Sequence, residues 1–359
     1  MSKRISIITA FPITIPHPRV ETERKILAEA GYEVKVMSFP RHPGMVERIV
    51  NYTSLNFFKR HIYHEILKSI RDEDIIILYD FQLLPLVRRI KKRNIKVIYE
   101  TIDNMVHLNY HFLARSLPFI RPAKRIILSR YSDIERKLAS EAAGIIVNSK
   151  ALTNYFQPVT TSLIYYCSPF ESENRSVNFG SAPALLYLGL FSSDKGSRET
   201  LTLQSKLGIP LFILGDIKEK ELISEVLQIP GVVWEPRQTP EMLGIRLKAL
   251  RAEYRLMGVS IIQPVHYSYA TQEANKDQDY LAMGIPIIGN TRMPTYEKIQ
   301  AGCGVQYTEI EEIKKMAGDT EKYDKTSQMC LRYYDQNYSR QLFREKLLRL
   351  VGQVSGQTK

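Results

Sequence analysis

Cysteine is scarce in this sequence, and its scarcity argues against two kinds of architecture. The 359 residues include three cysteines, Cys167, Cys303 and Cys330, an odd number with no short spacing between them. Disulfide-stapled domains and zinc sites require paired or closely spaced thiols. We therefore expect neither, and three free thiols suit a reducing compartment such as the cytosol.

Long apolar runs are also missing. No run approaches the roughly 20 apolar residues that a membrane-spanning helix needs. Met1-Ser2-Lys3-Arg4 leads directly into residues 5–9, which resemble a strand rather than the long apolar region of a signal peptide. These absences predict a cytoplasmic protein whose membrane contact, if it has any, is peripheral.

Several motifs of cofactor and metal sites are absent as well. No G-x-G-x-x-G follows the first predicted strand, which argues against an N-terminal dinucleotide site. No D-x-D pair ends a predicted strand, and no carboxylate pair stands out for glycoside hydrolysis. We predict no metal ion and no bound cofactor.

What the sequence does contain is an alternation of strand and helix patterns. Residues 5–9, 20–30 and 33–39 have the patterns of a strand, a helix and a strand, a βαβ unit that implies a parallel sheet. Further strands are predicted at residues 74–79, 95–99, 144–149, 184–189, 211–214, 232–234, 259–263 and 285–288. This alternation predicts an α/β protein.

The length predicts two lobes, because 359 residues exceed one typical core. A linker rich in Ser, Asn, Pro and Gly, residues 168–183, separates a first lobe at 1–170 from a second lobe at 180–325. The remaining segment, 326–359, contains an amphipathic basic helix predicted near 334–354.

The positive charge is concentrated in the first lobe. The chain carries a net charge of +12, and residues 1–170 hold 26 Lys and Arg against 15 Asp and Glu, a net +11. A basic lobe suggests an anionic partner: lipid headgroups, nucleic acid or a phosphorylated substrate. A basic but otherwise ordinary soluble surface explains the same charge.

One part of this lobe, residues 104–132, has no acidic residue at all. Its basic residues include Arg115, Arg121, Lys124 and Arg125, which alternate with apolar residues. Such a mixture is typical of an element lying on an anionic membrane surface, where each basic residue contributes about 1 kcal/mol. The alternative is an interlobe helix whose apolar side belongs to the core. No nucleic-acid-binding motif accompanies the charge, so we predict no nucleic-acid partner.

A short helix and strand at residues 275–289 carry the strongest indication of function. Asn275 is placed as a helix N-cap, with Gln278 completing a capping box, and Gly284 is placed to end the helix. The free backbone N–H groups of a helix start, beside Lys276, attract phosphate oxygens, and Asp279 offers an acceptor for hydroxyl groups. This combination suits a nucleotide-sugar, although an ordinary capped helix with solvated Lys276 and Asp279 fits the same residues.

A second phosphate-binding loop is predicted earlier in the same lobe. Gly189, Lys195 and Gly196 lie between a predicted strand and a helix that starts near Ser197. A glycine-bearing loop with a lysine at a helix start can enclose a phosphate group. A plain strand–helix connection has the same spacing.

These segments resemble one enzyme family. Residues 275–289 resemble the signature NK-x-x-E-Y-M-A-A-G-x-P-V-I of retaining glycosyltransferases of family 4, which have the GT-B fold, and residues 189–196 resemble their G-R-L-x-x-x-K-G loop. Pro18-Arg19-Val20-Glu21 is similar to their DPRV-x-x-E opening. The resemblance implies two Rossmann-like lobes facing across a cleft, with the C-terminal helix crossing back to the first lobe.

The resemblance also implies residue roles. Lys195 and Lys276 would bind the donor diphosphate and stabilise the leaving phosphate, and Asp279 would bind the ribose. The remaining donor-binding residues would be Gly189, Gly196 and Asn275. Residues near the sugar or the acceptor would be Arg19, Asp103, Tyr269 and Thr271.

Four positions depart from the family pattern. Thr271 replaces the first glutamate of the E-x7-E motif, and Asp279, a shorter carboxylate, replaces the second. Leu190 replaces the arginine of the phosphate loop, and Ile102 replaces a histidine near the donor sugar. A phosphate contact is therefore missing, or it comes from another cation such as Lys276 or Arg19.

The predicted function is transfer of a sugar from a UDP- or GDP-linked donor to a saccharide acceptor, without metal and with retention of configuration. The basic lobe favours a lipid-linked acceptor at the inner face of the cytoplasmic membrane, as in cell-envelope or surface polysaccharide synthesis. Three alternatives are a glycosyltransferase with a soluble acceptor, a GT-B sugar-nucleotide epimerase, and a glycosyltransferase-like scaffold that has lost catalysis.

Overall fold

The computed structural model describes residues 4–9, 18–39, 60–70, 74–79, 81–116, 118–171, 179–265 and 267–356. The chain divides into two compact units. Unit 1 consists of Met1–Tyr165 together with Phe343–Lys359, and unit 2 is Tyr166–Leu342. The predicted last segment, 326–359, is therefore divided between the two units, because unit 2 extends to Leu342 rather than ending near residue 325.

Unit 1 is built on a parallel six-stranded sheet in the order β2-β1-β3-β4-β5-β6. Its strands are β1 (Arg4–Thr9), β2 (Glu33–Ser38), β3 (Asp74–Tyr79), β4 (Lys96–Thr101), β5 (Gly144–Val147) and β6 (Ser162–Leu163). Central-strand residues such as Ile77 and Ile98 are fully buried, as expected for strands covered on both faces. The apolar runs of the sequence therefore become the core of the sheet.

Helices connect these strands. They are α1 (Pro18–Glu29), α2 (Arg60–Ser69), α3 (Pro85–Lys91), α4 (Met105–Ser116), α5 (Lys124–Ala139) and α6 (Lys150–Phe156), with 3-10 turns at Phe81–Leu83 and Pro118–Ala123. Pro18 starts α1, where its missing N–H removes no helical hydrogen bond, and Gly31 follows the helix with φ +89°. A helical pattern covers residues 51–71, and the part of it before Arg60 lies outside the described residues.

Unit 2 is built on a second parallel six-stranded sheet, in the order β12-β11-β10-β7-β8-β9. Its strands are β7 (Ala182–Leu188), β8 (Leu211–Leu214), β9 (Val232–Glu235), β10 (Tyr254–Ser260), β11 (Ile287–Gly289) and β12 (Gly304–Gln306). This is the strand order of a doubly wound nucleotide-binding sheet, in which the direction of winding reverses between the first and fourth strands, here β7 and β10.

The helices of this unit are α7 (Ser197–Leu207), α8 (Lys220–Gln228), α9 (Pro240–Glu253), α10 (Tyr267–Thr271), α11 (Asn275–Ala282), α12 (Met293–Lys298), α13 (Ile310–Gly318) and α14 (Thr320–Asn337), with a 3-10 turn at Ser193–Lys195 and a π-helical turn at Ile299–Cys303. The helix α15 (Arg340–Ser355) follows, and its part from Phe343 onward belongs to unit 1. There Leu350 packs against Gly144, where an added Cβ would lie 3.0 Å from the Leu350 Cδ1 atom.

Two predicted elements of the second half differ from the observed ones. The strand predicted at 259–263 ends instead at Ser260. The helix predicted at 334–354 is two helices, because the backbone leaves the helical conformation at Tyr338 and the Ser339 hydroxyl accepts a hydrogen bond from the Leu342 N–H, a new helix start.

Candidate active site

The carboxyl ends of β7 and β10 form the point in unit 2 where nucleotides bind in doubly wound sheets. The loop that connects β7 to α7 leaves the sheet there, and so does the segment that connects β10 to α11. The predicted donor-binding residues all lie on these two connections or on the first turns of α11. Topology thus brings together two motifs that are about 80 residues apart in the sequence.

The β7–α7 loop depends on two glycines with left-handed backbone conformations. Gly189 has φ +92° and Gly196 has φ +78°. A Cβ atom at Gly196 would lie 1.9 Å from the carbonyl oxygen of Ile261, just after β10. Glycine is therefore required at position 196 both for the conformation and for the close approach of the two connections.

Lys195 ends the 3-10 turn just before Gly196. Its Nζ lies 4.0 Å from the centre of the Tyr269 ring, and the Tyr269 hydroxyl donates a hydrogen bond to Asp194 Oδ2 at 3.2 Å. An ammonium group over an aromatic face is a favourable cation–π arrangement. The structure therefore places the predicted residues Lys195 and Tyr269 in direct contact.

The start of α11 differs in detail from the prediction. Asn275 is the first helical residue, and Ala274, in an extended conformation, takes the N-cap position without a side-chain hydrogen bond. Gln278 does not complete a capping box, because its amide donates to Glu273 Oε2 at 3.1 Å. The predicted cap at Asn275 was wrong by one residue, and no side chain of the cap covers the N–H groups of the first turn.

Lys276 has an unusual environment at this helix start. The residue is half-buried, but its amino group is enclosed, lies 3.7 Å from the centre of the Tyr187 ring and finds no hydrogen-bond partner among the described residues. Burial is the largest cause that lowers the pKa of Lys276, and the nearby charges of Lys195 and Arg292 act in the same direction. Against the opposing effect of Asp277, the resulting pKa is about 7. A bound anion would supply the missing hydrogen-bond acceptor.

Asp279 lies one turn further along the helix. Burial raises the pKa of its carboxyl group to about 7, against the lowering effect of a hydrogen bond with Ser168. Its Oδ1 atom has no hydrogen-bond partner within the part of the chain that the structure describes. The oxygen can accept a hydrogen bond from a ligand hydroxyl group, as the predicted contact with ribose requires.

A buried ionic network fixes α11 behind these two residues. Asp277 accepts hydrogen bonds from the hydroxyl groups of Ser260 and of Thr295, the latter at 2.8 Å. Lys298 lies 3.8 Å from the same carboxylate and donates to Glu273 at 2.8 Å. Sequence reasoning did not identify this network, because its members come from three separate segments.

Tyr280 joins α11 to the central strand of the sheet. Its hydroxyl oxygen accepts a hydrogen bond from the Leu188 N–H at 3.0 Å and lies 3.1 Å from the carbonyl oxygen of Leu186. Its ring occupies the space over Gly258, where a Cβ atom would lie 2.5 Å from the ring. The helix start is therefore held in position relative to the β7–α7 loop.

The other predicted residues lie in different surroundings. The Thr271 hydroxyl donates to the Tyr267 carbonyl oxygen at 2.8 Å, and Asp103 lies half-buried after β4 in unit 1, where its carbonyl oxygen accepts from Thr101. Arg19 is buried in unit 1, pairs with Glu100 and donates to the Ile164 carbonyl oxygen at 2.9 Å. This burial does not fit the predicted role of Arg19 in substrate binding, because its guanidinium group is bound to other residues of the core.

A separate group of predicted residues lies around the start of α5. Arg121, Lys124 and Arg125 are exposed, whereas the side chain of Arg115 lies outside the described residues. Beside them, Phe119 is 76% exposed and Ile126 is 74% exposed. Among the helices that the structure describes, none is long and apolar enough to cross a membrane. Unit 1 therefore presents apolar side chains and positive charge on the same short segment.

Known proteins resemble this chain in structure rather than in sequence. No protein-family profile and no curated protein sequence matches the chain. Anabaena Alr3699/HepE in complex with UDP and glucose matches with a TM-score of 0.68 at 12% identity, over 98% of this chain and 99% of that one.

Two further solved structures match over similar lengths. An α,α-trehalose-phosphate synthase (UDP-forming) from Burkholderia vietnamiensis has a TM-score of 0.66 at 9% identity, over 100% of both chains. AviGT4, a glycosyltransferase involved in avilamycin A biosynthesis, has a TM-score of 0.61 at 12% identity, over 98% of both chains. At these identities the likeness shows the fold, and this chain has the two-lobe GT-B fold of glycosyltransferases.

Proposed function

We propose that the chain is a retaining glycosyltransferase that moves a sugar from a nucleoside-diphosphate donor to a saccharide acceptor. The observation that carries this proposal is the grouping of Lys195, Lys276, the start of α11 and Asp279 at the switch point of the second sheet. This grouping offers cations and N–H groups to a diphosphate and an oxygen acceptor to a ribose. The solved complexes of the similar Anabaena protein with UDP favour UDP as the donor nucleotide.

The proposed chemistry places little demand on acid–base groups of the protein. The bond between the sugar C1 and the diphosphate oxygen breaks, and an acceptor hydroxyl oxygen bonds to C1 on the same face. The hydroxyl proton passes to the departing phosphate oxygen, so a dedicated protein base is not needed and Asp103 is a weak candidate. Lys195, Lys276 and the N–H groups of α11 stabilise the negative charge that grows on the leaving diphosphate.

The proposal is tested by removing each lysine in turn. Lys195→Ala and Lys276→Ala should each lower UDP or GDP release from a sugar-nucleotide panel by roughly 10²–10³-fold, the effect of losing one such donor. Lys206→Ala, an exposed lysine at the other end of α7, is the matched control and should retain full activity. Wild-type turnover in both site variants would remove the phosphate-binding assignment.

A second part of the proposal concerns the acceptor. We propose that unit 1 contacts an anionic membrane through Phe119, Ile126 and the basic residues Arg121, Lys124 and Arg125, and that the acceptor is lipid-linked. Exposed apolar side chains next to cations gain both hydrophobic and electrostatic energy at a lipid surface. The proposed location is the inner face of the cytoplasmic membrane, where the protein would bind peripherally.

Sedimentation with liposomes tests the membrane contact. The triple change R121E/K124E/R125E should abolish sedimentation with liposomes that contain phosphatidylglycerol. The control reverses the charge of three exposed residues in the same unit, K91E/K92E/R93E, and should reduce sedimentation much less. Equal loss in both variants would indicate net charge alone, and unchanged binding in the first would exclude the proposed surface.

One observation favours the alternative of a chain that binds nucleotide without catalysis. Leu190, in the position of the family arginine, is 46% exposed at the β7–α7 loop and offers no charge to a phosphate. A catalytically inactive scaffold would bind UDP but release none from any donor in the presence of acceptors. An epimerase would instead convert the sugar of the donor, which analysis of the panel products reveals.

A further inference from the structure

A cavity of about 430 Å³ lies in unit 2 at the carboxyl ends of β10, β11 and β12. It is lined by residues that follow these three strands, and Lys195, Lys276 and Asp279 are not among them. The carboxyl edge of a parallel sheet is the usual place for ligands, and the volume lies within the range of small-molecule sites. The cavity is therefore a candidate second binding site beside the proposed donor site.

The polar lining of this cavity is mainly neutral. Gln263 and Asn290 contribute amides, and Thr291 and Thr308 contribute hydroxyl groups. The one cationic residue of the lining is Arg292, which lies 3.7 Å from Asp277. Its Nη1 and Nη2 atoms bond to Gln272 and Thr295, whereas its enclosed Nε has no partner among the described residues. Because that charge is compensated within the protein, the lining favours a ligand with hydroxyl groups over an anion.

Asn290, one of the lining residues, carries an acceptor without a partner. Its amide nitrogen donates to the carbonyl oxygen of Ile262 at 2.7 Å, and this bond fixes the orientation of the side chain. Its Oδ1 atom is enclosed and has no hydrogen-bond partner among the residues that the structure describes. Enclosed polar atoms are nearly always paired in folded proteins, so the oxygen needs a donor such as a ligand hydroxyl group.

The cavity also has apolar surface. Pro264, Met293 and Tyr307 contribute to its lining, and the Met293 side chain is 58% exposed. A pyranose ring combines hydroxyl groups at its rim with apolar C–H faces. Amides and hydroxyl groups beside a thioether and an aromatic ring match both parts of such a ligand.

We propose that this cavity binds a neutral sugar unit of the acceptor saccharide. Binding of a sugar there rests on the cavity itself, whereas its assignment to the acceptor rests on the proposed function. The site gives the chain a means of choosing among acceptors that is independent of the nucleotide.

The test uses the methionine methyl groups as probes. Protein labelled with carbon-13 at its ten methionine methyl groups is titrated with the methyl glycosides of glucose, galactose, mannose and N-acetylglucosamine. The Met293 signal is assigned from the variant Met293→Leu. At least one glycoside should shift this signal saturably, whereas glycerol and inorganic phosphate should not.

Two variants connect that shift to the polar lining. Asn290→Ala should weaken the apparent affinity at least tenfold, and so should the double change T291V/T308V, which alters two exposed residues and leaves the core intact. The proposal is overturned if no glycoside moves the Met293 signal, if glycerol moves it equally, or if the double change leaves binding unaltered. A parallel titration with UDP reports on the donor site alone, so failure of one proposal is distinguishable from failure of the other.

Discussion

The chemistry of Lys276 is strongly affected by its surroundings. Its enclosed amino group lies against the Tyr187 ring rather than in a hydrogen bond, and burial lowers its pKa to about 7. Arg19, which is also buried, differs because Glu100 lies against it. Arg19 is therefore a structural cation of the core, whereas Lys276 can bind an anionic ligand.

The affinity for a nucleoside diphosphate should therefore depend on pH through Lys276. A bound diphosphate favours the charged amine and raises its pKa above 7, so binding takes up a proton between the free and the bound pKa. We expect the Kd of UDP, measured by calorimetry, to increase by up to about tenfold for each pH unit between about pH 7 and about pH 9.

The matched variant for this measurement is Lys276→Arg, which keeps the charge throughout that range because arginine does not titrate there. Its Kd should be much flatter with pH, while Asp279 and the ligand titrate equally in both proteins. A wild-type profile that coincides with that of the variant would contradict the assignment.

At the scale of elements, the β7–α7 loop and the start of α11 are held together by direct contacts. Gly196 permits the loop to touch the residue after β10, and Tyr280 ties α11 to β7. These contacts position the two connections that carry Lys195 and Lys276. A change in the loop should therefore affect binding as well as stability.

Gly196→Ala is the change that tests this coupling. The new Cβ would collide with the Ile261 carbonyl oxygen, in addition to the strain of a left-handed backbone, so the loop must move. We expect a lower melting temperature and at least a tenfold weaker binding of UDP, measured by calorimetry.

The control is Gly208→Ala, at the other end of α7. Gly208 is also left-handed, with φ +64°, but an added Cβ meets nothing within 4 Å. It should lose about 1–2 kcal/mol of stability, the strain alone, and bind UDP normally. Equal loss of binding in both variants would show that the loop contact has no part in the site.

The sequence was most informative where a pattern is local. Apolar runs predicted β3 and β8 with the observed bounds, and Gly284 does end α11 with φ +65°. The fold class was confirmed, because two periodic halves and a linker are visible without any contact information. Loop glycines and lysines were placed on the right connections for the same reason.

The remaining features depend on contacts between distant residues. Asn275 has the composition of an N-cap, yet the chain turns one residue earlier, at Ala274. Asp277 meets Ser260 and Thr295, each more than 15 residues away, and no spacing rule reveals such a partner. Arg19 matched a family motif, but its partner Glu100 lies 81 residues away and accounts for its burial.

At the scale of the whole molecule, helix α15 from Phe343 onward belongs to unit 1, together with the first half of the sequence. Phe343, Leu347 and Val351 on α15 are buried, and Leu350 lies against Gly144. Truncation after Leu342 should therefore expose the core of unit 1 while leaving unit 2 folded.

Hydrogen–deuterium exchange measures this directly. The truncated chain should exchange faster across residues 18–165 and at the wild-type rate across the described residues of unit 2. Truncation after Ser355, which retains the buried face of α15, is the control and should match the full chain. Uniform acceleration in both units would contradict their independence.

Because unit 1 contains residues from both the start and the end of the sequence, the order of synthesis affects its folding. The first 165 residues are synthesised long before α15, because about 190 further residues must be added before that helix is complete. At ordinary synthesis rates this interval is roughly 10–40 s, during which unit 2 is synthesised while the opening half still lacks its closing helix. The nascent chain would then depend on chaperones for its earliest part, and a stop codon in the last few turns would damage what was translated first.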